Sequence, residues 1–392
     1  MGMIGDTITL ADLERDPYPI YARLRDDEPV SWVPAVGLSL VTRWDDVRRV
    51  CLDPRTFTAE TDPSTLNRTF GKNMLGSDGA YHAFLRTATE GHFNPGSANR
   101  FTTQVLPDLV DELLDGIAAR DGADLQREFA EPLSIRALQR FIGMDDIAEA
   151  DLREWYEAFI LGAANFEADP EKQAVADAAA RAFGDALFPI LERLHQRPDE
   201  TVLSALVHAE VDGRRLTWDE IAANLRLVWS GGMNEPRDLT ALALFALLTH
   251  GAAERARADA AFRRRSIEET ARWISPVGTA TRQVTAPVDV AGTRLEPGAL
   301  VAAVLAAANR DPRHWAEPDR FDPDRGEGGH LAFSVGPHFC LGAWLGRQIV
   351  RHGVRAVLER WPGIRLDEDR AAEFAGWEFR GPLHMHVVWR GA

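Results

Sequence analysis

Cys340, one of two cysteines in the chain, lies in Phe333-Ser334-Val335-Gly336-Pro337-His338-Phe339-Cys340-Leu341-Gly342, an F-x-x-G-x-H-x-C-x-G pattern. The glycines suit a tight loop, and the residues that follow read as a helix start. Backbone N–H groups at such a start favour an anion. The spacing therefore predicts a depressed thiol pKa and a thiolate, the form that binds metal. The other reading is a buried structural cysteine. Upstream, His82 and Arg86 stand one helical turn apart and face the same way. Glu235 sits in Gly231-Gly232-Met233-Asn234-Glu235-Pro236-Arg237. In a dry cleft its carboxyl gains a raised pKa and delivers protons. The alternative is that it turns away and pairs with Arg237 or another base.

These residues need elements to carry them. Thr217 with Glu220 three residues on is a capping box, and opens a long helix to about His250. Gly231 and Gly232 each weaken that helix by about 1 kcal/mol and leave room beside it. Pro236 removes an N–H and pushes on the carbonyl of Gly232. The helix is expected to open there and free a carbonyl for water or a substrate hydroxyl. From about Phe101 to His250 the apolar spacing is helical. Leu106, Leu109, Val110, Leu113, Leu114 and Ile117 fall on one face, and Asp151–Phe159 and Ala174–Leu194 read as further helices. Strand signals are few: Val30–Val33 with Ser39–Thr42, Val288–Val290, Leu300–Val304 and Met385–Trp389. Asn309–Arg325, with Pro312, Pro318 and Pro323, reads as an ordered irregular meander.

Bulk properties bound the rest. The chain has 392 residues and a formal net charge of −16, which argues against nucleic acid and anionic membranes as partners. Arg263-Arg264-Arg265 with Arg347 and Arg351 can still supply a local basic face. The N-terminus shows no basic stretch followed by an apolar one, so no signal peptide is expected. The longest apolar run, around Ala241–Leu248, is too short to span a bilayer. Two cysteines cannot build a disulfide framework, which fits the cytoplasm. No repeat or linker stands out, so one domain over 1–392 is expected, mainly α with minor β-sheet.

The cysteine pattern resembles the haem-ligand loop of cytochromes P450, and matching elements occur in the same order along nearly the whole chain. The resemblance implies the P450 fold and haem b (iron protoporphyrin IX), with Cys340 as axial iron ligand. It implies His82, Arg86, Arg282 and His338 as partners of the haem propionates, which need cationic or N–H donors in an apolar cleft. Glu269 and Arg272 form its E-x-x-R pair, which would tie a helix to the meander through Arg310 or Arg325. The implied activity is monooxygenation with dioxygen. With no flavin or iron–sulfur motif in the chain, electrons would come from a separate NAD(P)H-linked reductase or ferredoxin, docked on the Cys340 side near Arg347 and Arg351.

The long helix departs from the family pattern A-G-x-(Asp/Glu)-Thr. Registered on the glycine, Asn234 takes the acid position and Glu235 the threonine position, so Glu235 is the expected proton donor. The glycine pair followed by amide, Glu and Pro resembles bacterial aryl-O-demethylases acting on guaiacol-type lignin aromatics. Leu152-Arg153-Glu154-Trp155, Asn67-Arg68-Thr69-Phe70-Gly71 and Gly376-Trp377-Glu378-Phe379-Arg380-Gly381-Pro382 are similar to the same group. That resemblance implies Phe70 and Phe379 as ring clamps, with Leu75, Leu227 and Gly231 beside them. Ala163 stands where that group can place a further Phe. A larger or para-alkylated guaiacol is then expected, unless Phe166 swings in to fill the gap. The implied products are a catechol and formaldehyde. The alternatives are a hydroxylase of another aromatic or natural-product scaffold, a peroxide-driven enzyme, and a non-catalytic haem-thiolate sensor.

Overall fold

The computed structural model describes residues 3–326 and 328–389, with Ser97 and Ala98 described by backbone alone. The helices that position the site are α1 (Gly79–Glu90), α2 (Leu106–Ile117), α3 (Glu131–Ile142), α4 (Glu149–Ala163) and α5 (Pro170–Gln196), then α6 (Trp218–Thr249), α7 (Ala260–Ile274) and α8 (Ala343–Arg360). The strands are β1 (Val30–Val33), β2 (Leu38–Val41), β3 (Phe57–Thr58), β4 (Gly122–Asp124) and β5 (Thr279–Val284), then β6 (Leu300–Val304), β7 (Glu373–Ala375), β8 (Gly381–His384) and β9 (His386–Val388). The largest sheet has the order β1-β2-β6-β5-β3. Val301 at its middle lies opposite Ser39 on one side and Arg282 on the other. Its pairs β1–β2, β6–β5 and β5–β3 are antiparallel, and only β2–β6 is parallel. All six apolar residues expected on one face of α2 are buried.

The core is built around α6. Thr217 accepts from the Glu220 N–H at 3.2 Å, and the Glu220 carboxylate accepts from the Thr217 N–H at 2.9 Å, so the expected capping box starts the helix. The helix then runs unbroken through Pro236 to Thr249, which corrects the expectation that it opens there. The reason is a neighbour. Ser134 of α3 donates its hydroxyl towards the carbonyls of Met233 (2.7 Å) and Gly232 (3.3 Å). The carbonyl that Pro236 deprives of a donor is thus supplied by protein, and is not left for substrate. The glycine pair also divides. A Cβ on Gly232 would stand 2.9 Å from Leu138 Cδ2, so this glycine lets α3 approach. A Cβ on Gly231 would first meet the Glu235 carboxyl, at 3.4 Å.

The E-x-x-R pair is buried as expected. Arg272 donates through two nitrogens to Glu269 at 2.8 Å each, and also to the carbonyls of Asn309 (2.7 Å) and Pro318 (2.9 Å) in the meander. Arg325 completes the set at 3.3 Å from Glu269. Arg310 instead donates to the Trp273 carbonyl and to Asp319. A fork of this kind satisfies both charges, which burial would otherwise make costly. Among the described residues no helix is long and apolar enough to cross a membrane.

Candidate active site

A cavity of about 520 Å³ opens between the Cys340 loop, α6 and the large sheet. It is lined by Cys340, His338, His82, Arg86 and Arg282, and by Gly231, Gly232 and Glu235 from the facing helix. Phe70, Leu75, Ala163, Phe166, Leu227 and Phe379 complete its apolar wall. Every residue singled out in the sequence for cofactor, substrate or acid chemistry reaches this hollow except Asn234. That amide is buried beneath the helix, where its Oδ1 accepts from Tyr156 (2.6 Å) and Arg237 (2.9 Å). Asn234 is therefore a packing residue, and the sequence expectation of a catalytic role is corrected.

The Cys340 loop is held by backbone. The Cys340 N–H donates to the Phe333 carbonyl at 3.0 Å, and Arg86 ties the loop to α1 through the Phe339 carbonyl at 2.9 Å. The thiol faces the hollow, so it is accessible from the cavity while protein surrounds it on the other sides. Burial pushes the thiol up to about 11, helped by the Glu235 charge; the Gly342 N–H pulls the other way. This reverses the depressed value expected from the helix start. A cation bound at the sulfur would favour the ionised form.

One end of the cavity is cationic. Arg282, 4 % exposed, donates to the carbonyl of its own neighbour Thr281 at 2.7 Å, and forms no ion pair among the described residues. Burial lowers its pKa. His82 is buried with no side-chain hydrogen bond among the described residues, and its ring lies 4.5 Å from that of His338. Burial, then the His338 and Arg86 charges, lower its pKa too. His338 is oriented by Asp78 Oδ1 at 2.9 Å. A buried guanidinium with no counter-ion is costly. Arg282, His82 and Arg86 together form a cradle that an anionic ligand would complete.

Two carboxyls also line the cavity, Glu235 from α6 and Glu378 beside β5. Glu235 folds back over Gly231 and has no ion pair among the described residues. Arg237, its proposed alternative mate, is engaged by Asp238 at 2.8 Å and by Asn234. Burial raises Glu235 to about 8, while its own backbone N–H opposes. Glu378, which the sequence reading passed over, also lines the cavity and accepts from the Thr279 hydroxyl at 2.5 Å. Burial raises it to about 7. Its position beside Phe379 was the available signal, since that stretch had already been placed at the pocket. Phe166 leans on Trp377 with ring centroids 5.6 Å apart and still lines the hollow, while Ala163 is buried at its edge.

The two arginines expected at a docking face have a partner within the fold. Arg347 is clamped by Glu268 at 2.9 Å through each of two nitrogens and lies over the Phe333 ring at 3.9 Å; Arg351 also reaches Glu268, at 3.6 Å. Burial raises Glu268, yet His330 and Arg347 together bring it down to about 2. Both arginines thus share the Glu268 carboxylate beside the cysteine loop.

Comparison with known proteins agrees with this arrangement. A family model described as Cytochrome P450 matches residues 252–362. The chain is 36% identical to the cytochrome P450 monooxygenase PikC of Streptomyces venezuelae, over 97% of this chain and 92% of that one. It is 31% identical to the mycinamicin IV hydroxylase/epoxidase of Micromonospora griseorubida, over 94% of each. Among solved structures, the ligand-free cytochrome P450 TbtJ1 superposes with a TM-score of 0.86 at 28% identity, covering 96% of this chain and 98% of that one.

Proposed function

Since the chain belongs to the cytochrome P450 family and is a haem monooxygenase, we propose that it hydroxylates a C–H bond of an apolar natural-product scaffold held between Phe70, Phe379 and the Gly231 face of α6. Cys340 is the only cysteine lining the cavity, and it fits the role of iron ligand. The uncompensated Arg282, with His82, Arg86 and His338, fits the two carboxylates of haem b. That orphaned buried cation, lining the same hollow as a thiol, is the observation that carries the reading. Haem bound through a thiolate supplies an oxidant able to insert one oxygen atom of dioxygen into a C–H bond. The balance requires two electrons, which the family draws from a ferredoxin or reductase, and two protons, which leave as water with the second oxygen.

The chain's own residues do the rest. The apolar wall excludes water and would hold the reacting carbon within the hollow that Cys340 lines, a positioning effect. Glu235 holds a proton on its carboxyl at neutral pH and releases it across Gly231 into the dioxygen space, in place of the missing acid–alcohol pair. Glu378, steadied by Thr279, offers its remaining oxygen to a substrate hydroxyl or amine.

The relative named for mycinamicin IV supports the natural-product scaffold. A second reading, O-demethylation of a guaiacol-type ether, keeps the support of Phe70, Phe166 and Phe379 around one hollow. Hydroxylation of a methoxy carbon gives a hemiacetal that collapses to a phenol and formaldehyde, so the two readings differ in substrate and not in chemistry. Titrating the ferric protein with mycinamicin-like macrolactones and with guaiacols decides between them. A low-to-high-spin change with the first and not the second supports the first reading. Formaldehyde released from guaiacols, with no response to macrolactones, overturns it.

A further inference from the structure

Far from the cysteine loop, at the edge where the C-terminal segment joins the helical body, two histidines and a carboxylate converge. β9 pairs antiparallel with β4, and the register sets His386 directly opposite Asp124. His384 lies two residues before His386, and Met385 between them is fully buried. Alternation along a strand therefore turns both imidazoles to the same side, towards Asp124. Their rings lie nearly parallel, 4° apart, with centroids at 5.8 Å. One donor atom from each of the three residues falls within 4.8 Å of the others.

The local bonding fits a ligand set. Asp124 Oδ1 accepts from the N–H groups of Met385 (2.9 Å) and Gln126 (3.1 Å), which locks the carboxylate plane. Its Oδ2 is directed at His384 Nδ1, 2.6 Å away. His386 Nδ1 is buried and has no hydrogen-bond partner. An orphaned ring nitrogen in that position costs stability, and a metal ion there would remove the cost.

We propose that Asp124, His384 and His386 bind one divalent transition-metal ion of the zinc type, clipping β9 and the end of β8 to β4. Two imidazole nitrogens and one carboxylate oxygen suit zinc, copper or nickel; calcium and magnesium require more oxygen donors. A tetrahedral zinc site spaces its donors roughly 3.3 Å apart, so the ion opens the Asp124–His384 hydrogen bond slightly and draws His386 in. His384, with a half-exposed side chain, rotates cheaply, and water takes the fourth position. Both imidazoles bind as neutral bases and release any proton they carry to solvent. Glu378 and Phe379 lie just before β8 in the chain, so the ion would anchor the strand that follows this part of the cavity wall.

The test uses the haem-loaded protein, stripped by a chelator and titrated calorimetrically with zinc and, separately, with calcium. One zinc per chain is expected at micromolar affinity or tighter, with a rise in Tm and no response to calcium. His384→Ala and His386→Ala, each checked for an unchanged haem spectrum, should weaken zinc binding at least tenfold. Zinc uptake unchanged in the His384→Ala/His386→Ala double variant, or no saturable uptake by the starting protein, overturns the proposal.

Discussion

Replacing Glu235 by Gln keeps the shape and polarity of the side chain over Gly231 and removes its proton. With the group raised to about 8, roughly nine carboxyls in ten are protonated at pH 7, against about three in a thousand at the ordinary glutamate value near 4.5. The site therefore holds about 300 times more available acid than a solvated glutamate would. General-acid groups contribute about 10²–10⁴-fold. Product formed per reductant consumed should accordingly fall by about tenfold or more in Glu235→Gln at pH 7, with haem content and substrate spin shift retained. The sign of the pH effect follows from the raised value. Starting protein keeps its coupling between pH 6 and 7 and loses it as pH rises through about 8, while the variant shows no such break. Stability carries the same sign. The contribution of a raised carboxyl is fully present below about 4.5 and lost as pH rises through about 8. The Tm of Glu235→Gln should thus gain on that of the starting protein across that window. Unchanged coupling, or a break near pH 8 that persists in the variant, would refute the assignment.

Further substitutions test the supports. Gly232→Ala pushes a methyl to 2.9 Å from Leu138 and should cost about 1–3 kcal/mol in chemical denaturation, whereas Gly231→Ala should leave stability close to unchanged and alter substrate affinity. Ser134→Ala leaves the Gly232 carbonyl without the donor that replaces the missing Pro236 N–H and should cost about 1–3 kcal/mol in the same assay. Arg347→Glu, which breaks the Glu268 clamp, should lower haem retention measured by absorbance; slower reduction with full haem content would instead restore a docking role for this arginine. Glu378→Gln should reduce spin-shift affinity for hydroxylated or amine-bearing ligands more than for their hydrocarbon analogues.

Much of the site was legible because its signals are local. The cysteine loop, the E-x-x-R turn and the His82/Arg86 pair each lie within ten residues, and their roles depend on spacing that any reader of the chain can see. The capping box of α6 and the apolar face of α2 are local in the same sense. What stayed hidden depends on partners distant in sequence. Ser134 lies about a hundred residues from the carbonyls it satisfies, so Pro236 alone argued for an opened helix. Arg347 read as a free cation because Glu268, 79 residues away, gave no sign of facing it. The thiol of Cys340 read as acidic from its helix start, while the desolvation that dominates arises from the whole fold. Strands β5 and β3 escaped notice because mixed sequences such as Thr279–Val284 owe their strand state to pairing with β6. The substrate class was least legible, since the pocket wall is assembled from stretches far apart in the chain.

Cys340 as the iron ligand underlies all of the proposed chemistry, and the chain's two cysteines allow one measurement to test it. The reduced, carbon monoxide-bound protein should show the thiolate-ligated haem absorption in its starting form. The band should persist in Cys51→Ala, whose thiol is buried among the apolar residues beside the large sheet, and vanish in Cys340→Ala. A thiolate band that survives Cys340→Ala, or disappears in Cys51→Ala while haem content is retained, would contradict it.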